Sequence, residues 1–169
     1  MITTQPLNKT VNPGETAKFT VKASGTAPLT YQWMKNGVVI PGATATSYTT
    51  PPATAADTGS LFSVTVTNLA GSVTSNSAKL TVRTPPAIIS QPANQTVKAG
   101  RTAKFSVSAT GSAPLGYQWM KNGLTITGAT KASYTTPKTV AGGNGALFSV
   151  LVSNPAGSVT SNSALLTVK

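Results

Sequence analysis

The stretch Tyr31–Gly37, which reads YQWMKNG, returns unchanged as Tyr117–Gly123. Other landmarks of the first half recur with the same offset of 86 positions, and Ala70–Ala78 (AGSVTSNSA) is repeated letter for letter. When residues 1–83 are aligned with residues 87–169, about 53 of the 83 positions are identical, which establishes an internal duplication. The chain therefore holds two copies of one unit whose length is near the lower end for independently folding domains.

Apolar and polar residues alternate along both copies, and no helical period is visible. In Ala17–Ala23 the odd positions are apolar and the even positions polar, which is typical of a strand with one buried face. Phe62–Thr67 and Ala78–Val82 show the same alternation. Tyr31–Trp33 begins another strand, which ends at Asn36-Gly37, a dipeptide suited to a type I′ hairpin turn. Short strands separated by Gly and Pro turns predict an all-β fold, an antiparallel β-sandwich with Greek-key connections, in each copy.

The composition excludes most catalytic and metal-binding chemistry. The chain has no His and no Cys, and its only acidic side chains are Glu15 and Asp57, whose equivalents in the second copy are Arg101 and Gly143. Without His, a lone Lys is the only base left to activate a Ser or Thr nucleophile. Zinc needs His, Cys or carboxylates, and calcium needs several carboxylates. We therefore expect a protein that is not an enzyme, uses no cofactor and holds no metal ion.

The chain is strongly basic although few of its residues are charged. Thirteen Lys and Arg against two acids give a net charge of +11, yet only 9 % of residues are charged, so the surface is mostly Thr, Ser, Asn and Gln. This surface favours a secreted or cell-surface protein. No run approaches the roughly 20 apolar residues of a membrane span, so no membrane insertion is expected, and Met1–Thr4 is not a signal peptide. We expect a segment of a longer parent chain whose neighbouring domains are its first partners.

The first copy contains, in this order, the segments Gln5-Pro6, Gly14–Phe19, Tyr31–Gly37, Asp57–Gly59, Phe62–Asn68 and Ala70–Ser75. Together with their counterparts in the second copy, these segments resemble the cysteine-free immunoglobulin-like domains (I-set-like) of bacterial secreted and surface proteins. The resemblance covers both copies almost end to end. It implies two tandem sandwiches, domain 1 over residues 1–83 and domain 2 over residues 87–169, joined by the short linker Thr84-Pro85-Pro86. Because two prolines favour a semi-rigid, extended path, we expect the domains to be held apart in line.

The resemblance also assigns a structural core. It places eight residues there: Val21, Trp33, Phe62, Val64, Val107, Trp119, Phe148 and Val150. Each Trp would be the central buried residue of strand C, and the Val pairs stand where disulfide-bearing relatives have two Cys. Each Phe replaces the tyrosine of the corner between strands E and F, and so cannot make that tyrosine's hydrogen bond. Gly143 replaces the corner acid of the first copy, which predicts a looser corner in the second.

Candidate ligand contacts are few. They are Tyr48, Tyr134, Lys18, Lys22, Lys35, Lys104 and Lys121. The tyrosines could stack on a sugar, although packing under a strand edge is favoured, and the dispersed lysines are typical of a solvated sheet face. The net charge attracts anionic polymers and cell-surface glycans without a dedicated site. No specific nucleic-acid recognition is expected, because no nucleic-acid-binding motif or exposed aromatic row is present.

Three functions remain open. The first is a structural spacer or adhesion segment of a larger bacterial extracellular, cell-surface or virion protein. The second is an accessory carbohydrate-binding module of a polysaccharide-degrading enzyme, which would use the two tyrosines or the loops Gly25–Pro28 and Asn68–Gly71 at the sandwich end. The third is a polyanion binder driven by charge alone. Binding that survives high salt would support the second, and salt-sensitive binding to many anions the third.

Overall fold

The computed structural model describes all residues, Met1–Lys169, and divides them into two compact units, Met1–Arg83 and Thr84–Lys169. The strands of the first unit are β1 (Ile2–Thr4), β2 (Lys9–Val11), β3 (Lys18–Thr20), β4 (Lys22–Ala23), β5 (Thr30–Lys35), β6 (Val38–Val39), β7 (Ser47–Thr49), β8 (Leu61–Asn68), β9 (Gly71–Thr74) and β10 (Ala78–Val82). Those of the second are β11 (Ala87–Ser90), β12 (Gln95–Val97), β13 (Lys104–Ser106), β14 (Ser108–Thr110), β15 (Gly116–Lys121), β16 (Leu124–Thr125), β17 (Ser133–Thr135), β18 (Leu147–Asn154), β19 (Gly157–Thr160) and β20 (Ala164–Val168).

Each unit also contains one short 3₁₀ turn, Ala55–Asp57 in the first and Ala141–Gly143 in the second. These turns are the only helical elements, and neither could cross a membrane.

The first unit is a sandwich of two sheets, and the second repeats it. In the larger sheet the strand order is β2-β10-β8-β5-β6, with β9 also paired to β8. The opposite layer is made of the pairs β1–β4 and β3–β7. The second unit has the equivalent orders β12-β20-β18-β15-β16, β11–β14 and β13–β17. This is the all-β, tandem immunoglobulin-like architecture expected from the sequence, and it is confirmed.

One strand pair in each unit departs from the antiparallel pattern. Strand β2 runs parallel to β10, with Lys9 opposite Leu80 and Val11 opposite Val82. Strands β12 and β20 pair in the same way. Between β1 and β2 the chain crosses from one sheet to the other, and β2 joins the free edge of β10. A strand from near the start of each unit is thereby hydrogen-bonded to its last strand.

Alternating residues build the core. Ala17, Phe19 and Val21 are buried, whereas Lys18 and Thr20 between them are exposed, as the period-2 pattern predicts. Across the sandwich the Phe19 and Phe62 rings stack with their centroids 4.6 Å apart. Such aromatic pairs contribute about 0.5–1.5 kcal/mol beyond the area they bury.

The hairpin and the segment between the units show two further local features. Asn36 and Gly37 have φ of 53° and 80° and connect β5 to β6 in the left-handed conformation that a type I′ turn requires, as predicted. Thr84, expected in the linker, is hydrogen-bonded within the second unit: its N–H donates to Ser112 Oγ at 2.8 Å, and its carbonyl accepts from the Ser112 N–H at 2.9 Å.

Candidate functional site

The tryptophans lie at the centre of each sandwich. Trp33 and Trp119 both have 0 % exposure. The Trp33 indole Nε1–H donates to the Ala45 carbonyl at 3.0 Å, and that of Trp119 donates to the Lys131 carbonyl at 2.9 Å. With its polar atom satisfied and its ring enclosed, neither side chain can present a face to a sugar. The other six residues assigned to the core, Val21, Phe62, Val64, Val107, Phe148 and Val150, are buried as well.

Tyr48 and Tyr134 are half-buried and lie at the edge of the aromatic clusters that surround Trp33 and Trp119. The ring of Tyr48 lies 6.4 Å from Trp33 and 5.8 Å from Phe62, centroid to centroid. Tyr134 packs in the same way against the second unit's Trp and Phe. Each tyrosine therefore contributes one wall of a small surface depression and does not form a flat stacking platform.

In the first unit this depression contains an ion pair. Lys35, at the end of β5, donates a 2.7 Å hydrogen bond to Oδ1 of Asp57 in the 3₁₀ turn. Oδ2 of the same carboxylate accepts from the N–H and the hydroxyl of Thr54, both at 2.9 Å. The hydrogen bond from Lys35, followed by those from Thr54, lowers the pKa of Asp57 to about 2. The predicted ligand contact Lys35 is therefore already engaged by a residue of its own unit.

The equivalent depression of the second unit has no acid. It has a volume of about 150 Å³, and its lining includes Lys121, Tyr134, Lys138, Gly143 and Phe148. Gly143 occupies the position of Asp57, so Lys121 has no carboxylate partner, and Lys138 adds a second cation where the first unit has a proline. The depressions beside Tyr48 and Tyr134 therefore have equivalent positions in the fold but differ in charge.

The remaining candidate lysines lie on the opposite sheet. Lys18, Lys22 and Lys104 are exposed. The first two line an open depression of about 660 Å³ together with Tyr31. In the second unit Lys22 is replaced by Ser108, so only one of the two cations recurs. This surface is wide and solvated, and it lacks a buried polar group that would fix a ligand.

The loops expected at one end of the sandwich are fastened to each other. Asn68 Nδ2 donates to the Thr26 carbonyl at 3.0 Å, and its Oδ1 accepts from the Ala70 N–H at 3.0 Å. In the second unit Asn154 makes the same pair of contacts with Ser112 and Ala156, and also donates to the Thr84 carbonyl at 2.8 Å. These loop amides hold the fold together and are not free to contact a ligand.

Three cations of the second unit, Lys98, Arg101 and Lys138, were not among the predicted ligand contacts. The turn Lys98–Arg101 is packed against Thr139, whose N–H and hydroxyl both donate to the Arg101 carbonyl at 2.8 Å. Residues almost 40 positions apart become neighbours here, which no local pattern could indicate. The comparison of the two copies is the signal that could have found them, because each of these cations replaces a neutral or acidic residue of the first copy, namely Asn12, Glu15 and Pro52. The structure contains no group of three or more His, Cys, Asp or Glu side chains that could hold a metal ion.

Together these features define a tandem pair of immunoglobulin-like β-sandwiches whose aromatic residues serve the core. Residues 1–78 match the family model described as Immunoglobulin domain. Over 116 residues, 66 % of this chain, the sequence is 36 % identical to Endoglucanase C of Cellulomonas fimi, and over 59 residues it is 46 % identical to the Decoration protein of Escherichia phage T5. The chain spans 10 % of the first relative and 35 % of the second.

A solved structure gives the same picture of the fold. The I-band fragment I67-I69 from titin matches the whole chain with a TM-score of 0.83 and 25 % identity, and 65 % of that fragment is covered. The likeness extends over both sandwiches of this chain.

Proposed function

We propose that this chain is a non-catalytic structural module, a spacer or adhesion segment that carries load within a larger extracellular, cell-surface or virion protein. The observation that carries the proposal is the parallel pairing of β2 with β10 and of β12 with β20. In each unit these two strands lie close to the points where the chain enters and leaves.

The geometry of this pair resists tension. The Arg83 N–H donates to the Val11 carbonyl at 3.0 Å, and the Lys79 N–H donates to Asn8 Oδ1 at 2.7 Å. Because the strands run parallel, pulling the two ends of a unit apart slides β2 along β10 and loads all their hydrogen bonds at once. Two antiparallel strands that are pulled apart at one end of the pair would instead lose their hydrogen bonds one at a time.

The relatives support a role inside larger assemblies. Endoglucanase C is far longer than this segment, and the phage relative is by its name a decoration protein. We infer that the partners of this chain are first of all the neighbouring domains of its parent protein. A bacterial or phage parent fits the sources of both relatives, and a parent that works outside the cell fits the Thr- and Ser-rich surface.

Force spectroscopy on the full chain tests the proposal. Val11→Pro removes a backbone N–H from β2, so we expect one of two unfolding events to occur at a clearly lower force. Val39→Pro is the matched control, because it disturbs the edge strand β6, which pairs with β5 away from the terminal strands. Equal unfolding forces for the wild type and Val11→Pro would contradict a load-bearing role.

A second candidate is an accessory carbohydrate-binding module, which the similarity to Endoglucanase C favours. Pull-down with insoluble polysaccharides at about 50 and 500 mM salt separates it from the first, because purely electrostatic attachment is lost at the higher salt. Retention on one neutral polymer at both salts, abolished by Tyr48→Ala or Tyr134→Ala in a folded variant, would establish this function. No retention on any neutral polymer would eliminate it.

A further inference from the structure

Four replacements between the two copies change the charge of one end of the unit. Asn12 becomes Lys98, Glu15 becomes Arg101, Pro52 becomes Lys138 and Asp57 becomes Gly143, while Lys35 is kept as Lys121. The first and third replacements each add one positive charge, the second adds two, and the last removes a negative charge. The formal charge of this end therefore rises by five.

The rest of the unit changes in the opposite direction. Lys9, Lys22 and Lys79 are replaced in the second unit by the uncharged Gln95, Ser108 and Leu165, and only Lys131 is gained outside this end. Compared with the first unit, the second unit therefore has fewer cations on its strands and more cations at this one end. Solubility alone does not account for cations gathered at one end of the unit, because cations at any exposed position keep a protein soluble.

The structure brings these positions together. The Gly100 N–H donates to the Thr139 carbonyl at 2.7 Å, which joins the turn carrying Lys98 and Arg101 to the segment carrying Lys138. Lys138 in turn lines the depression of about 150 Å³ that also contains Lys121 and Gly143. We call the group Lys98, Arg101, Lys121 and Lys138 the basic end of the second unit.

No acidic side chain of the second unit compensates the cations of the basic end. In the first unit Glu15 accepts hydrogen bonds from the N–H and the side-chain amide of Asn12, at 2.7 and 3.0 Å, and Asp57 pairs with Lys35. None of the four side chains of the basic end makes a hydrogen bond or an ion pair within the chain, and the unit contains no acidic side chain. An external anion is the partner that such a surface lacks.

We propose that the basic end binds the carboxylate, sulfate or phosphate groups of an acidic polysaccharide. Lys121 and Lys138 would hold one anionic group in the depression between them, and Lys98 and Arg101 would contact groups further along the polymer. The Lys ammonium group is a point charge with three hydrogen-bond donors. The planar Arg guanidinium group can donate two parallel hydrogen bonds to the oxygens of a carboxylate or sulfate. A polymer suits four separate cations better than a single small anion, because its linked charges bind together.

The aromatic side chain at this site argues against nucleic acid. Binding of single strands relies on bases stacked on exposed rings. The ring of Tyr134 is packed against Trp119 and Phe148, with centroid distances of 6.3 and 5.9 Å. The half-buried ring lines the depression as one wall and does not stand out as a stacking platform for a base, whereas a charged sugar needs only the cations and a polar rim.

The test exchanges the basic end for its counterpart. The variant K98N/R101E/K138P/G143D gives the second unit the residues that the first unit carries at equivalent positions, and a Cβ at Gly143 meets no atom within 4 Å. The control K9Q/K18E/K22E lowers the net charge by five, as the exchange variant does, but leaves the basic end intact. Affinity for polygalacturonate and for dextran sulfate is measured by titration calorimetry at about 50 mM salt, with neutral dextran and a single-stranded DNA as comparison ligands.

We expect the exchange variant to bind at least tenfold more weakly than the wild type and the control to stay within about threefold. Better binding of polygalacturonate than of dextran sulfate would identify a carboxylate ligand, and the reverse a sulfate-like one. Equal loss in both variants would show that net charge alone attracts the polymer and would overturn the proposal, as would tighter binding of DNA. If the exchange variant does not fold, Gly143→Asp alone must weaken binding, because it places a carboxylate beside Lys121.

Discussion

Lys35 and Asp57 join the end of strand β5 to the 3₁₀ turn through a 2.7 Å hydrogen bond, and the second unit builds the same turn without this pair. The backbone explains how. The Asp57 N–H donates to the Thr54 carbonyl at 3.0 Å, and the Gly143 N–H donates to the Val140 carbonyl at 2.8 Å. Both turns therefore form from main-chain hydrogen bonds, and the ion pair adds about 1 kcal/mol or less.

The first prediction concerns acid stability. The pKa of Asp57 is lowered from 3.8 to about 2 in the folded unit, so its stabilising contribution is complete above pH 4 and is lost as the pH falls towards 2. The pKa of Glu15 is also lowered, chiefly by the hydrogen bond from the Asn12 backbone. We expect the first unit to lose stability over this range, by roughly 4–8 °C in Tm for each kcal/mol lost.

The second unit supplies the internal control, because it has no acidic side chain. Urea unfolding followed by NMR signals unique to each unit should show an acid-sensitive first unit and a second unit that changes much less between pH 4 and 2, because only its C-terminal carboxyl group titrates there. In Asp57→Asn the pH dependence of the first unit should shrink to the part due to Glu15. An equal loss in both units would contradict the assignment to these carboxylates.

The second prediction concerns a buried hydroxyl. Ser75 Oγ accepts the Val64 N–H at 3.0 Å and donates to the Asn76 carbonyl at 2.9 Å. Ser75→Ala leaves the buried N–H without a partner, so we expect the free energy of unfolding of the first unit to fall by about 1–3 kcal/mol. Ser77→Ala, at an exposed position two residues away, should change it by less than about 0.5 kcal/mol. Chemical denaturation of the full chain checks both.

The third prediction separates two contributions of Asn36. This residue adopts φ of 53°, and its Oδ1 accepts the Leu61 N–H at 2.8 Å. Asn36→Gly keeps the backbone conformation and loses the hydrogen bond, at a cost of about 1 kcal/mol. Asn36→Ala loses the bond and also strains the backbone, so it should cost about 1–2 kcal/mol more. Equal Tm values for the two variants would show that the left-handed conformation does not limit stability.

The sequence predicted the parts of the fold that depend on local pattern. The burial of Phe19 and Val21 follows from alternation, and the hairpin follows from the Asn36-Gly37 pair. The parallel partner of β2 did not follow, because a period of two residues says which face is buried and nothing about which edge a strand joins. The basic end was missed for a related reason, since contacts between Arg101 and Thr139 arise only from the folded topology.

The last prediction concerns the amide that fastens two loops of the first unit. Asn68 donates from Nδ2 to the Thr26 carbonyl at 3.0 Å and accepts at Oδ1 from the Ala70 N–H. Asn68→Asp keeps the acceptor but replaces the donor with an oxygen that faces the Thr26 carbonyl. The loop Gly25–Pro28 should then open more readily and exchange its amide hydrogens several-fold faster. Asn154→Asp should produce the same effect in the second unit, where the amide donates to Ser112. Unchanged exchange in both variants would show that the loops are held by other contacts.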